Sequence, residues 1–397
     1  MSVNVALYFT SRTPFFRLNI IQKIGFRTKH LQKAQKLFVN RKDFQPNNFQ
    51  WEKSYQTTSS VNLLEEPNIV KSPCKELIIP SNVSLPEFIW EQGLKHHAQN
   101  TVLVDGDTGK FYTYKEAYEE SKRFSISLTA LSIVKGDVVA IFMPNRPEYI
   151  ISLLGILGIG GIATTINPNY KEHEVARQLS ASNTRLIVTV PSLIDIVEGA
   201  IKVMNTTIKV IVVGDDRNVS EENCYSFGDV IHQIDHDRIK KFSFESTDSE
   251  EVALLPYSSG TTGLPKGVML TTKNLVSNIY QNVYGDGMKF IKIAKDSYQS
   301  KTICVLPMFH VFGLCVTSLP TLRAGGLVVT LPKFDPNMFT RALREFRPTF
   351  LHLVPPLVDF CANHKSVTPQ HLSSVEHIMV NTFYKYNFVK LGLKSSI

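Results

Sequence analysis

Six short, largely apolar runs constrain this chain more than any other feature: "DVVAIFM" (137–143), "RLIVTV" (185–190), "KVIVVG" (209–214), "TICVL" (302–306), "GLVVTL" (326–331) and "TFLHLV" (349–354). A strand with one wet face alternates apolar and polar residues, whereas these runs place apolar residues at consecutive positions. They therefore predict strands buried on both faces. Amphipathic stretches lie between them: "PEYIISLLGIL", "PSLIDIVEGAIKVM" and "FDPNMFTRALREF". In the last of these, Asp335 is placed to cap a helix whose first residue is Pro336. Alternating strands and helices of this kind give an α/β fold with helices on the sheet faces. The 397 residues leave room for two such sheets within 66–380. No short fixed period recurs, which excludes a solenoid.

One run invites a membrane reading. Residues 149–166, "YIISLLGILGIGGIATTI", hold no charge over 18 positions, at the lower edge of what spans a bilayer. The Gly158–Gly161 cluster would break such a helix in its middle, and the β-branched end favours a strand. A buried helix, a glycine turn and a strand account for the run, with no transmembrane segment.

The net charge of +8 would suit a nucleic-acid partner, but its distribution does not. Residues 1–42 hold nine Lys/Arg and no acid, while the other 355 hold 34 basic and 35 acidic side chains. A nucleic-acid groove needs its positive charge on the folded face, so no nucleic-acid partner is expected. The acid-free, arginine-bearing extension fits a mitochondrial transit segment, although a disordered basic arm has the same composition. Mitochondrial location is the expectation, with cytoplasm and peroxisome open. A polar connector at 43–65 then leads into the patterned body. Five dispersed cysteines without metal-ligand spacing read as reduced thiols, and no metal-ligating residues stand out.

The chemistry concentrates in "YSSGTTGLPKG" (257–267). It packs five hydroxyl-bearing side chains, three glycines and one lysine into eleven residues after a probable strand, "EVALLPY". Glycines let backbone N–H groups approach phosphate oxygens, hydroxyls add donors, and Lys266 adds a compact positive charge. The spacing is not that of a P-loop. Counting from Gly260, Pro265 stands where the second glycine belongs, and Gly267 replaces the hydroxyl residue that would hold Mg²⁺.

The loop resembles the signature of the adenylate-forming (AMP-binding) superfamily, in its branch of 4-coumarate–CoA ligases and firefly-luciferase-like acyl-CoA synthetases. "LPEFIWE" (85–91), "GDVVAIFMPNRPEY" (136–149), "INPNY" (166–170), "LPMFHVFGL" (306–314), "LPKFD" (331–335) and "VPPLV" (354–358) extend the resemblance over about 66–380. It implies a large, incomplete N-terminal adenylation domain with two helix-covered sheets. It also implies an acid–thiol ligase reaction: a small-molecule carboxylic acid and ATP give an acyl-adenylate and pyrophosphate, and coenzyme A then takes the acyl group. Ser258, Ser259, Gly260, Thr261, Thr262, Gly263 and Lys266 would hold the ATP phosphates, with Mg²⁺ sharing the charge. His310 would meet the acyl carboxylate, so His310 and Lys266 are the catalytic candidates. Phe312 would line the acyl pocket, and Lys333 would contact coenzyme A.

After residue 380 the resemblance stops. The tail "NTFYKYNFVKLGLKSSI" departs from the family's glycine-rich segment, and the adenine site, hinge and C-terminal cap domain have no counterpart in this sequence. The expectation is little or no ligase activity from this chain alone. The alternative is a non-catalytic nucleotide- or acyl-binding remnant, or an interaction protein using unfinished sheet edges. Which acid is used, bioluminescence and oligomeric state are not legible in the sequence.

Overall fold

The computed structural model describes residues 4–7, 76–214, 223–258, 264–285 and 291–380. The predicted linker and tail lie outside these residues, as does the basic extension apart from the backbone of one strand, β1 (Asn4–Leu7). Helix α1 (Leu85–His97) precedes a hairpin, β2 (Thr101–Asp105) and β3 (Phe111–Thr113), and then α2 (Tyr114–Ala130). A series of crossovers follows: β4 (Val138–Phe142), α3 (Pro147–Leu157), β5 (Ile162–Thr165), α4 (Glu172–Ala181), β6 (Thr184–Thr189), α5 (Ile194–Met204) and β7 (Lys209–Val212), with β8 (Cys224–Ser226) at its end. Next come β9 (Val252–Ser258), β10 (Lys266–Gly267), β11 (Leu270–Thr271) and α6 (Thr272–Tyr284). The remainder holds β12 (Lys301–Cys304), a π-helix (Phe312–Ser318) running into α7 (Leu319–Arg323), β13 (Leu327–Thr330), α8 (Pro336–Phe346), β14 (Phe350–Leu353), α9 (Pro355–Asn363) and β15 (His377–Val380).

Each of the six apolar runs contains a strand. The uncharged run forms α3, a glycine turn with Gly160 at φ +67°, and β5. All of α3 is buried, and no helix among the described residues is long and apolar enough to cross a membrane. Helix α8 starts as predicted, with Asp335 Oδ1 accepting from the N–H groups of Asn337 (2.9 Å) and Met338 (2.8 Å).

The first sheet runs β9-β5-β4-β6-β7-β8, all parallel, with β10 and β11 antiparallel on β9. In the second, β12, β13 and β2 are parallel and β3 closes an antiparallel hairpin. The parallel set β14-β15-β1 lies beside β12, joined through Thr349, whose N–H donates to Lys301 O and whose Oγ1 accepts from Lys301 N–H (both 2.9 Å).

Strand alternation then divides the core into three. Val139 and Ile141 of β4 join Leu186 and Val188 of β6, Leu103 of β2, Val328 of β13 and the residues of α3 in a core between the two sheets. Ala140, Phe142 and Ile187 point the other way, under α4 and α5. Val104, Ile303, Val329, Leu351 and Leu353 pack on the far side against α8 and α9. The result is a helix–sheet–helix–sheet–helix stack, which is why the strands are apolar on both faces.

Candidate active site

In parallel sheets the loops at the carboxyl ends of the strands face ligands, above all where successive crossovers leave in opposite directions. Here β4 is followed by β5 on one side and β6 on the other. Helix α3 enters the central core, whereas α4 packs on the outer one. The carboxyl ends of β4 and β5 are thus the expected position for a site, and the segment leading to His310 is bonded to one of them, at Thr165.

Ser258 ends β9, and Lys266 begins β10 directly opposite it in the antiparallel ladder. The pair forms the neck of the glycine-rich loop, and both side chains are exposed. Gly267 pairs with Tyr257, and a Cβ there would lie 3.2 Å from the Tyr257 ring. Ser259, Gly260, Thr261, Thr262 and Gly263 lie outside the described residues.

Strand β9 neighbours β5, with Thr165 opposite Pro256. Thr165 Oγ1 donates to Phe309 O (2.8 Å), which ties the segment carrying His310 to the edge that carries the loop neck. His310 is exposed, and its Nδ1 accepts the Phe312 N–H (3.1 Å). A neutral imidazole that accepts at Nδ1 carries its proton on Nε2. Partial burial pushes the His310 pKa below its ordinary value, which favours this neutral donor form at pH 7.

Gly313 is required three residues after His310. A Cβ there would lie 2.3 Å from Pro307 O, so the π-helix can rest on the His310 segment only with glycine at this position. The hydroxyls of Thr317 and Ser318 donate to the carbonyls of Phe312 (3.0 Å) and Gly313 (2.8 Å), five residues back. Phe312 is buried, with its ring centroid 5.7 Å from that of His352 on β14. Lys333 lies in the loop after β13 and is exposed.

Three features of this region were not singled out from sequence. Asn145, in the turn after β4, is buried and bonded to the end of β12 and the segment beyond it. Its quoted motif, "PNRPEY", held a clue in a polar residue directly after a fully apolar strand. Glu148 is 1% exposed and accepts from Lys110 Nζ (2.8 Å), Tyr112 Oη (3.0 Å) and Arg146 Nε (2.8 Å). Burial alone would raise its pKa, but the Arg146 charge and the hydrogen bonds from Lys110 and Arg146 hold it at about 2. His352 is the third: it is fully buried, neither ring nitrogen has a hydrogen-bond partner, and burial lowers its pKa to about 3.

No disulfide forms among the described cysteines. Burial pushes the thiols of Cys304, Cys315 and Cys361 up to about 12, leaving them protonated and unreactive. The described residues contain no cluster of three acidic, histidine or cysteine side chains able to hold a metal ion.

The body is a double-sheet α/β fold in which a glycine-rich sequence follows the carboxyl end of β9. Residues 90–382 match the AMP-binding enzyme family, and the chain belongs to it. The 4-coumarate–CoA ligase 1 of Arabidopsis thaliana is 34% identical over 310 residues, covering 77% of this chain and 54% of the relative. The chain therefore spans about half the length of the curated relatives it matches. The luciferase-like enzyme of the nonluminescent Zophobas morio mealworm shares the fold, with a TM-score of 0.68 at 20% identity over 81% of this chain and 72% of that one. ATP-bound MatB from Rhodopseudomonas palustris aligns with a TM-score of 0.63 at 25% identity, over 76% of this chain and 55% of its own.

Proposed function

We propose that this chain carries the phosphate-binding and acyl-activating part of an ATP-dependent acid–CoA ligase. One observation bears most of the weight: Thr165 ties the His310 segment to the sheet edge where Ser258 and Lys266 form the neck of the glycine loop. The names of the relatives, 4-coumarate–CoA ligases and an ATP-bound MatB, point the same way.

In the first step a carboxylate oxygen attacks the α-phosphorus of ATP, and the bond to the bridging oxygen of pyrophosphate breaks. Negative charge builds on the leaving group, which Lys266 and the hydroxyl and backbone donors of the loop would stabilise. His310 offers its Nε2–H to the acyl carboxylate or to the carbonyl oxygen of the adenylate. In the second step the thiol of coenzyme A, having lost its proton, attacks that carbonyl and AMP departs. Lys333, exposed after β13, would serve as a cation for the phosphates of coenzyme A. Mg²⁺ accompanies ATP in this chemistry and would share the charge on its phosphates.

The test is calorimetric titration with ATP and with a non-hydrolysable acyl-sulfamoyl adenosine, followed by thioester assays over aromatic, medium-chain and long-chain acids. The intact protein should bind both ligands, and Lys266→Ala should weaken ATP binding about tenfold, the scale of one charge-assisted contact. Absence of binding by the unaltered protein would overturn the reading.

A further inference from the structure

Residues 305–309 leave the end of β12 and pair with no strand, yet they carry His310. Their backbone groups are instead met by side chains from the first sheet. Asn145 Nδ2 donates to Cys304 O (3.2 Å) and Leu306 O (2.9 Å), while its Oδ1 accepts the Met308 N–H (2.7 Å). One amide thus serves three alternate residues, as a neighbouring strand would. Thr165 takes the next carbonyl, that of Phe309. Asn145 is 4% exposed, so water does not compete for these bonds and their directions are fixed.

The turn that presents Asn145 is itself anchored. Three residues on, Glu148 is held by Lys110 and Tyr112 from the β2–β3 hairpin of the second sheet and by Arg146 of the turn. The turn therefore cannot shift without disturbing the bonds of the buried Glu148 carboxylate. Beyond the anchored segment, the His310 ring depends on one more bond, from Phe312 N–H to Nδ1.

We propose that Asn145, supported by Thr165, is a positioning residue that aims His310 at the bound acid. The inference rests on the reading of His310 as the acyl-site histidine. Asn145 touches no reactant; it acts by fixing the backbone from which the imidazole projects, so that Nε2–H is presented before substrate arrives.

The decisive experiment is NMR of ¹⁵N-histidine-labelled full chain, with the His310 signals assigned by their loss in His310→Ala. In the unaltered protein the ring should be in its Nε2–H form. In Asn145→Ala the Nδ1 bond should loosen, giving a mixed tautomer population and a titration midpoint closer to the ordinary value of about 6.5. Affinity for the acyl-sulfamoyl adenosine should fall about tenfold, while ATP affinity stays within about twofold, since only the acyl contact is disturbed. Thr165→Val, which removes a single bond, should give a smaller change in the same direction. A folded Asn145→Ala protein with a lower melting temperature but an unchanged His310 tautomer, midpoint and analogue affinity would overturn the proposal. Should Asn145→Ala not fold, Thr165→Val decides by the same readouts. Failure of the unaltered protein to bind either ligand would sink the functional reading instead, and the ring readouts would still report on positioning.

Discussion

The two segments that carry the candidate residues, 305–310 and 257–267, are held by opposite means. The first is pinned from outside, by Asn145 and Thr165 of the other sheet. The second is closed by its own neck, where Ser258 and Tyr257 pair with Lys266 and Gly267. Leu264 and Met269 beside that neck stand 62% and 70% exposed, so little core packing depends on it. Substitutions around 305–310 should therefore register first as lost stability, whereas those in the glycine loop should register as lost ligand binding. A charged ligand needs a surface that can be reached, while an oriented imidazole needs a frame that does not give.

The largest effect is expected from Glu148→Gln, which leaves Arg146 and Lys110 facing a neutral amide. Glu148 is buried while Lys110 is half exposed, so the loss is that of the carboxylate's own stabilisation, about 3 kcal/mol from its lowered pKa, read as a lower midpoint in urea unfolding. The pH dependence follows from the same group. Its folded pKa of about 2 lies below the ordinary 4.5, so its stabilisation is complete above about pH 4.5 and fades as the pH falls towards 2. The Gln variant should lack that part of the acid profile. If it melts like the original, the pinned segment is not anchored through this turn.

Gly313→Ala comes next, at about 2 kcal/mol, because the new methyl must displace Pro307 O or lift the π-helix. Thermal unfolding would measure it, and an unchanged melting temperature would show that the helix and the His310 segment are less closely seated. His352→Leu should instead stabilise by about 1 kcal/mol, since both buried ring nitrogens lack partners and leucine removes that desolvation cost. His352 also titrates. With a folded pKa near 3, the ring stays neutral in the native protein while the unfolded chain takes up a proton below about pH 6.5. Stability is thus lost as the pH falls from about 6.5 towards 3, and the leucine variant should lose less. The smallest structural effect belongs to Lys266→Ala, an exposed residue whose loss should leave the melting temperature nearly unchanged while ATP binding falls. A marked drop in stability there would erase the contrast between the two segments.

Much of the body was legible because its signals are local. The apolar run 137–143 and the proline at 147 sufficed for β4 and α3, and Asp335 with Pro336 sufficed for the start of α8. The candidate site was legible as a set of residue types and a resemblance, which singled out Ser258, Lys266 and His310 as residues of interest but not how the sheets would hold them. What was missed depends on distant partners. Asn145 looks like a turn residue until Cys304, Leu306 and Met308 are brought to it, and His352 looks like any strand position until the ring is found without partners. The π-helix was hidden for a related reason. Its sequence predicts only helix, and its wider winding goes with Gly313 on Pro307 and the hydroxyl bonds of Thr317 and Ser318 to carbonyls five residues back.

Asn145 and the backbone it holds are also far apart in time. Met308 lies 163 residues after Asn145, so at about 5 to 20 residues per second a ribosome delivers the second partner roughly ten to thirty seconds after the first. Throughout that interval a nascent chain already able to form β4, β5 and β6 has a polar amide at the end of β4 with nothing to bond but water. The first sheet can gather early, but the surface that faces the second must stay wet until residues 301–308 arrive. Synthesis of this protein thus carries a built-in waiting period, set by the spacing of two short motifs along the chain.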